Sequence, residues 1–206
     1  MSQRTTGAYK LTQMPLVYEA FQSLLGANRG RRTLVDEYIR PKAGASVLDF
    51  GCGSAAILPY LGAVSYVGID LNAGHIAQAR AAHGERGRFH AGDFASLRGE
   101  LAGAFDLVIC LGLLHHLDDA RVVELGALAH DYLAPGGRFV AIDPVFTGNQ
   151  AWIARRLAAA DSGQCVRTAE GYRALAGPAF ARCDAIVRHD LLRVPYSHCI
   201  TVASRD

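Results

Sequence analysis

Three groups of residues in this chain have the type and spacing to do chemistry. They are Asp49 beside Gly51 and Gly53, Asp70 nineteen residues after Gly51, and the pair His115 and His116. The glycines lie in S-V-L-D-F-G-C-G-S-A-A-I-L-P-Y-L, Ser46 to Leu61, where an apolar run breaks into a turn. Glycines at a strand-to-helix turn let backbone N–H groups approach a ligand with no side chain in the way. A carboxylate beside that turn disfavours a pyrophosphate and favours a cationic or hydroxyl-rich ligand. The dinucleotide fingerprint G-x-G-x-x-G is also incomplete, because Ser54, Ala55 and Ala56 follow Gly53. Asp70 closes the run S-Y-V-G-I-D, where a carboxylate can accept from both hydroxyls of a ribose or cap the next helix, a role for which Asn72 competes. His115 and His116 follow F-D-L-V-I-C-L, Phe105 to Leu111, the most apolar run of the chain. An imidazole there suits a general base or a structural hydrogen bond, and both readings stand open. The string H-H-x-D-D also offers metal ligands, but adjacent side chains point in different directions, so no metal site is expected.

The elements that must position these residues follow from periodicity. Val17, Ala20, Phe21 and Leu24 recur at helical spacing between Pro15 and Gly26, and a second helix spans Arg31 to Arg40. After the glycine turn, a helix of about two turns is expected from Ser54 to Leu61, shortened by Pro59. Strands over 65–70, 88–91, 105–111 and 138–143 alternate with helices over 72–83 and 119–133, which implies right-handed crossovers and a parallel sheet covered on both faces. The alternation breaks after Pro144, where Trp152, Ile153 and Leu157 with Arg155 and Arg156 read as an inserted amphipathic helix. A short helix over 169–176 follows. Two last strands, over 182–190 and 197–204, are joined by a link too short for a crossover, so they should be antiparallel. The expected organisation is one α/β domain. Cap helices occupy 1–43, a Rossmann-like doubly wound core 44–143, an inserted cover 144–176, and the antiparallel pair 177–206.

Composition narrows the function classes. At 206 residues and 50% hydrophobic, with a mean hydropathy of +0.13, the chain can bury one ordinary core. Its net charge of +2 comes from interspersed residues, and R-G-R-R at Arg29 to Arg32 is the one tight basic cluster, so no nucleic-acid partner is expected. Five scattered cysteines with no C-x-x-C pair suggest a reducing compartment. The N-terminus has no apolar leader pattern and no 18-residue apolar run occurs, so a cytoplasmic protein with no membrane partner is expected.

Five motifs in order then resemble a known family. V-L-D-F-G-C-G at Val47 to Gly53, V-G-I-D-L at Val67 to Leu71, G-D-F at Gly92 to Phe94, F-D-L-V-I-C at Phe105 to Cys110 and L-A-P-G-G-R-F at Leu133 to Phe139 are similar to class I S-adenosylmethionine-dependent methyltransferases. The resemblance covers roughly the middle half of the chain. It implies a seven-stranded sheet whose last strand inserts antiparallel beside the fifth, and a cofactor, S-adenosylmethionine, released as S-adenosylhomocysteine. It also assigns Asp49, Gly51 and Gly53 to the methionine moiety, Asp70 to the ribose and Leu71 to the adenine face. Asp93 and the Phe94 N–H then take the adenine edge, and Cys110 and Leu111 contact the methionyl part. Ala55 departs from the family pattern, where many members carry a third glycine, and a slightly tighter approach is expected there.

Methyl transfer by in-line displacement asks chiefly that the reactants be aligned, and a base is needed only where an O, N or C nucleophile must lose a proton. His115 and His116 are the candidate bases. Tyr18, Asp143 and Trp152 are candidate contacts to a small-molecule acceptor, in a monomer or homodimer. Two rivals remain: a nicotinamide-dependent reductase, disfavoured by Asp49 and the missing third glycine, and a non-catalytic S-adenosylmethionine-binding regulatory or interaction protein.

Overall fold

The computed structural model describes residues 26–95, 104–159 and 163–206. The expected helix from Pro15, and Tyr18 with it, lies outside these residues. Seven strands form one sheet: β1 (Ser46–Phe50), β2 (Ser65–Asp70), β3 (Gly87–Ala91), β4 (Phe105–Leu111), β5 (Leu133–Pro144), β6 (Arg182–Arg188) and β7 (His198–Ser204). Their order is β3-β2-β1-β4-β5-β7-β6. β7 is inserted between β5 and β6 and runs antiparallel to both, whereas β1 to β5 are mutually parallel. The alternation read from the sequence therefore gives the expected Rossmann-like sheet, including the antiparallel last strand.

The strand period of two divides the core. Leu48 and Phe50 of β1, with Val108 and Cys110 of β4, face one cluster, while Val47, Leu107 and Ile109 face the other. The first cluster is covered by α3 (Asp119–Tyr132) and α5 (Ala169–Ala176), the second by α1 (Ala27–Leu34) and α2 (Ala73–His83). α1 continues as a wide π turn, Val35–Ile39, and stops at Arg40, whose φ is 42°. The Arg138 guanidinium donates to the Tyr38 and Ile39 carbonyls, at 3.2 and 2.6 Å, and so satisfies that helix end. Asn72 caps α2 by accepting from the Gly74 and His75 N–H groups.

One expected element is much reduced. Only a single 3-10 turn, Leu58–Tyr60, forms where a two-turn helix was expected from Ser54. Ala55 sits at φ 55°, in the left-handed region, which breaks helical continuity, and Pro59 cannot donate a helical hydrogen bond. The third-glycine position thus has a glycine-like backbone that alanine occupies under strain.

α3 and α5 cross where Gly126 lies against the Ala176 backbone. A Cβ at Gly126 would stand 2.7 Å from the Ala176 carbonyl oxygen, so the two helices approach only because no side chain intervenes. Gly126→Ala is expected to destabilise the fold by about 1–3 kcal/mol, despite its better helix propensity, and urea unfolding would show it.

Candidate functional site

The glycine turn is closed by backbone bonds to β2: the N–H groups of Gly51 and Cys52 both donate to the Ile69 carbonyl, at 2.8 and 3.1 Å. Gly51 has φ 69°, and a Cβ there would press on Leu113, 3.1 Å away in the loop after β4. Gly53 has φ 55° and open space where a Cβ would stand. Its N–H donates to Asp70 Oδ2 at 2.9 Å, so the turn and the β2 tip are bonded together.

Asp49 lies at the centre of this arrangement and is almost wholly buried. Its Oδ2 accepts from the Tyr66 hydroxyl at 2.6 Å, while its Oδ1 has no hydrogen-bond partner among the described residues. Gly68, in register with Asp49, makes this possible: a Cβ at Gly68 would collide with Cys52 Sγ and crowd the Tyr66 ring. Burial drives the Asp49 carboxyl up to about 7, against the hydrogen bond from Tyr66 and with a small push from Asp70. Tyr66 was not singled out from the sequence. The signal for it was its place two residues before Gly68, on the same strand face as a carboxylate of the neighbouring strand.

Asp70 is differently placed. Its Oδ1 accepts from the Asn72 N–H at 2.8 Å and lies 3.4 Å from His75 Nδ1. Burial alone would raise this carboxyl, but the bonds from His75, Asn72 and Gly53 outweigh it and hold it below its ordinary value. Leu71, beside it, is half exposed despite being apolar. Asp93 accepts from the Ala95 N–H at 2.9 Å and pairs with Arg121 of α3 at 2.5 Å. The Arg121 guanidinium also lies 4.2 Å over the Phe94 ring, which is buried against Phe50. Arg121 is a second residue that sequence reasoning did not single out.

After β4 the chain turns at Gly112, φ 75°, into a 3-10 turn, Leu114–His116. Cys110 is fully buried and Leu111 half-buried at the strand mouth. Asp143, expected to face an acceptor, is 2% exposed and instead binds His115. Its Oδ1 accepts from the His115 backbone N–H at 3.1 Å and lies 2.7 Å from His115 Nδ1. With Asp143 ionised, the carboxylate can only accept, and Nδ1 is the donor in the second contact. Burial raises the Asp143 carboxyl, and the His115 bonds offset this only in part. The His116 ring lies 4.1 Å from that of His115, half-buried. Across His115 runs the segment from Gly163, whose Cα has room for no Cβ against that ring, to Cys165, whose N–H donates to the His115 carbonyl at 3.0 Å. Trp152, at the start of α4 (Trp152–Ala159), is 71% exposed and forms no part of this cluster.

The carboxylates mark the site. Two surface hollows of about 410 and 500 Å³ lie elsewhere, between α5 and β6 and between α2 and β3. Among the described residues no three His, Cys, Asp or Glu side chains converge as a metal cage, and no helix is long and apolar enough to cross a membrane. Asp49, Asp70, Asp93 and Asp143 all end or follow strands at the same sheet edge, which favours a cationic ligand. Since the folded Asp49 holds its proton up to about pH 7 and an unfolded one releases it near 3.8, this group's contribution to stability falls as pH rises between those values. The ligand-free wild type is expected to lose stability relative to Asp49→Asn between pH 5 and 7, by at most about 1.4 kcal/mol per pH unit, as denaturant titrations at several pH values would show.

With this geometry the comparisons agree. Residues 47–137 match the family model described as a methyltransferase domain. The ubiquinone biosynthesis O-methyltransferase of Azotobacter vinelandii is 31% identical over 124 residues, covering 57% of this chain and 52% of that protein. The chain thus spans about half the length of the curated relatives it matches. Among solved structures, the S-adenosylmethionine-dependent methyltransferase SibL in its apo form superposes with a TM-score of 0.73 at 19% identity, covering 98% of this chain and 63% of that one. A Pyrococcus horikoshii OT3 protein gives 0.68 at 18% identity, covering 97% and 100%. Over residues 47–137 the chain is thus similar to methyltransferase domains, and its sheet order is the one expected of class I, S-adenosylmethionine-dependent members.

Proposed function

We propose that this domain transfers a methyl group from S-adenosylmethionine to a nucleophilic atom of a small molecule. The observation that carries the reading is Asp49 Oδ1, a buried carboxylate oxygen with no partner among the described residues, beside a glycine turn open at Gly53. An ammonium group, directly or through a water, would complete it. The residues present fit the cofactor. Asp49 with Gly51 and Gly53 would hold its methionine end, and the remaining lone pairs of Asp70 its ribose hydroxyls. The exposed Leu71 would lie on its adenine, with Asp93 and the Phe94 N–H at the purine edge, and the backbone of Cys110 and Leu111 near the sulfur. When bound, the cofactor supplies an electrophilic methyl group on a sulfonium, already activated by its charge.

The protein's own part is alignment and proton handling. The relatives named as O-methyltransferases support an oxygen nucleophile, and a hydroxyl acceptor must lose a proton. His115 is suited to take it, because Asp143 fixes its Nδ1 as the donor, which orients Nε2 as the proton acceptor and stabilises the imidazolium that results. Asp143 therefore acts on the acceptor through His115. His116, whose ring lies tilted against that one, is the neighbouring candidate, and the low polarity around His115 and Asp143 strengthens their pairing.

Two outcomes test this. Asp70→Ala is expected to weaken S-adenosylhomocysteine binding at least about tenfold by calorimetry, since each 1.4 kcal/mol lost is tenfold. His115→Ala and Asp143→Asn are expected to lower methyl transfer to a hydroxyl acceptor by about 10²–10⁴, with S-adenosylhomocysteine affinity retained. Stabilisation of the wild type by the cofactor, without labelled methyl reaching any acceptor in a broad panel, would instead favour a non-catalytic binding protein.

A further inference from the structure

Arg167, in the cover segment, is bonded to the histidine turn more completely than any sequence pattern suggested. All five N–H bonds of its guanidinium end on protein oxygens. Nε and one Nη2 hydrogen meet Asp119 Oδ1, at 3.0 and 2.6 Å, and the other Nη2 hydrogen meets the Leu117 carbonyl at 2.8 Å. The Nη1 hydrogens meet the Leu114 and Cys165 carbonyls, both at 3.0 Å. Leu114 and Leu117 bracket His115 and His116, and Cys165 is the residue whose N–H bonds the His115 carbonyl. The cation also faces the Tyr172 ring at 5.8 Å, whose hydroxyl donates to the carbonyl of Pro144, next to Asp143.

We propose that Arg167 is a positioning residue, tying the turn that carries His115 and His116 to the cover segment so that His115 stays seated on Asp143. The proposal rests on the reading that His115 serves the acceptor. Among the described residues the turn's own backbone bonds are short-range, His116 N–H to the Leu113 carbonyl and Leu117 N–H to the Leu114 carbonyl, after a left-handed glycine, and Arg167 adds bonds that tie it to the cover segment. Only a planar fork reaches carbonyls on both sides of the turn and a carboxylate at once. A lysine, with three donors on one atom, cannot. The Arg167 side chain is 10% exposed whereas Asp119 is 74% exposed, so the carbonyls of Leu114, Cys165 and Leu117 share in compensating the buried charge.

The test uses the whole chain with labelled histidine. The His115 Nδ1 proton, bonded to a buried carboxylate, should give a low-field resonance, assigned by its loss in His115→Gln. Arg167→Lys is expected to shift or broaden that resonance while changing S-adenosylhomocysteine affinity by less than about threefold, because the glycine turn is untouched. Should Arg167→Lys not fold, Asp119→Ala removes the exposed acceptor of two of the five donors, and the same displacement is expected. A resonance unchanged in every folded variant overturns the proposal. A resonance that moves while His115→Gln keeps full methyl transfer sustains Arg167 as positioning residue and sinks the base reading instead.

Discussion

The reversal of strand order between β1 and β4 is the constraint on which this site depends. The chain leaves β1 toward β2 on one side and returns through β4 on the other, so the loops after these strands diverge and leave a crevice at their carboxyl ends. The two loops still touch, because Gly51 offers only hydrogen to Leu113. The candidate site residues lie along that edge: the glycine turn, the β2 tip, the histidine turn and the end of β5.

Along this edge, four carboxylates are satisfied to different degrees. Asp70 receives backbone and imidazole donors, Asp93 an arginine, and Asp143 both donors of His115. Asp49 alone among them keeps a buried oxygen with no partner among the described residues, in a place where burial favours the neutral form. A positive charge arriving there relieves the desolvation that the fold imposes, so the free energy of ionising a buried acid couples to ligand binding. The same low polarity that makes Asp49 costly when bare makes the His115–Asp143 contact strong.

The cover segment is joined to this edge by polar bonds as well as by the apolar packing of Val145, Tyr172 and Ala176. Arg167 draws together the Leu114 and Leu117 carbonyls of the 3-10 turn, and the parallel bridge between Val145 and Arg167 with the Phe146 N–H bond aligns this part of the cover beside β5. Such a tie fixes geometry sharply, since five directional bonds to one rigid plane admit little drift. α4 contributes differently: Ala154 and Ala158 are buried while Trp152, Ile153 and Leu157 are turned outward.

The sequence by itself determined the strand and helix alternation, the glycine turn with its two carboxylates, the antiparallel final pair and the family resemblance, because period, caps and glycine positions are local properties of the chain. It placed Asn72 as a cap and Phe105 to Leu111 at the centre of the sheet for the same reason. It did not yield the collapse of the helix after Ser54, which turns on the left-handed backbone at Ala55. Nor did it yield the partners Tyr66 to Asp49, His115 to Asp143, Arg121 to Asp93 and Arg167 to the histidine turn. These contacts join residues separated by 17 to 53 positions, and only the register of strands and the path of the crossovers bring them together. Tertiary structure decided which carboxylates are satisfied by the protein and which is left to a ligand, because burial and partner geometry belong to the packed sheet edge and not to any stretch of sequence.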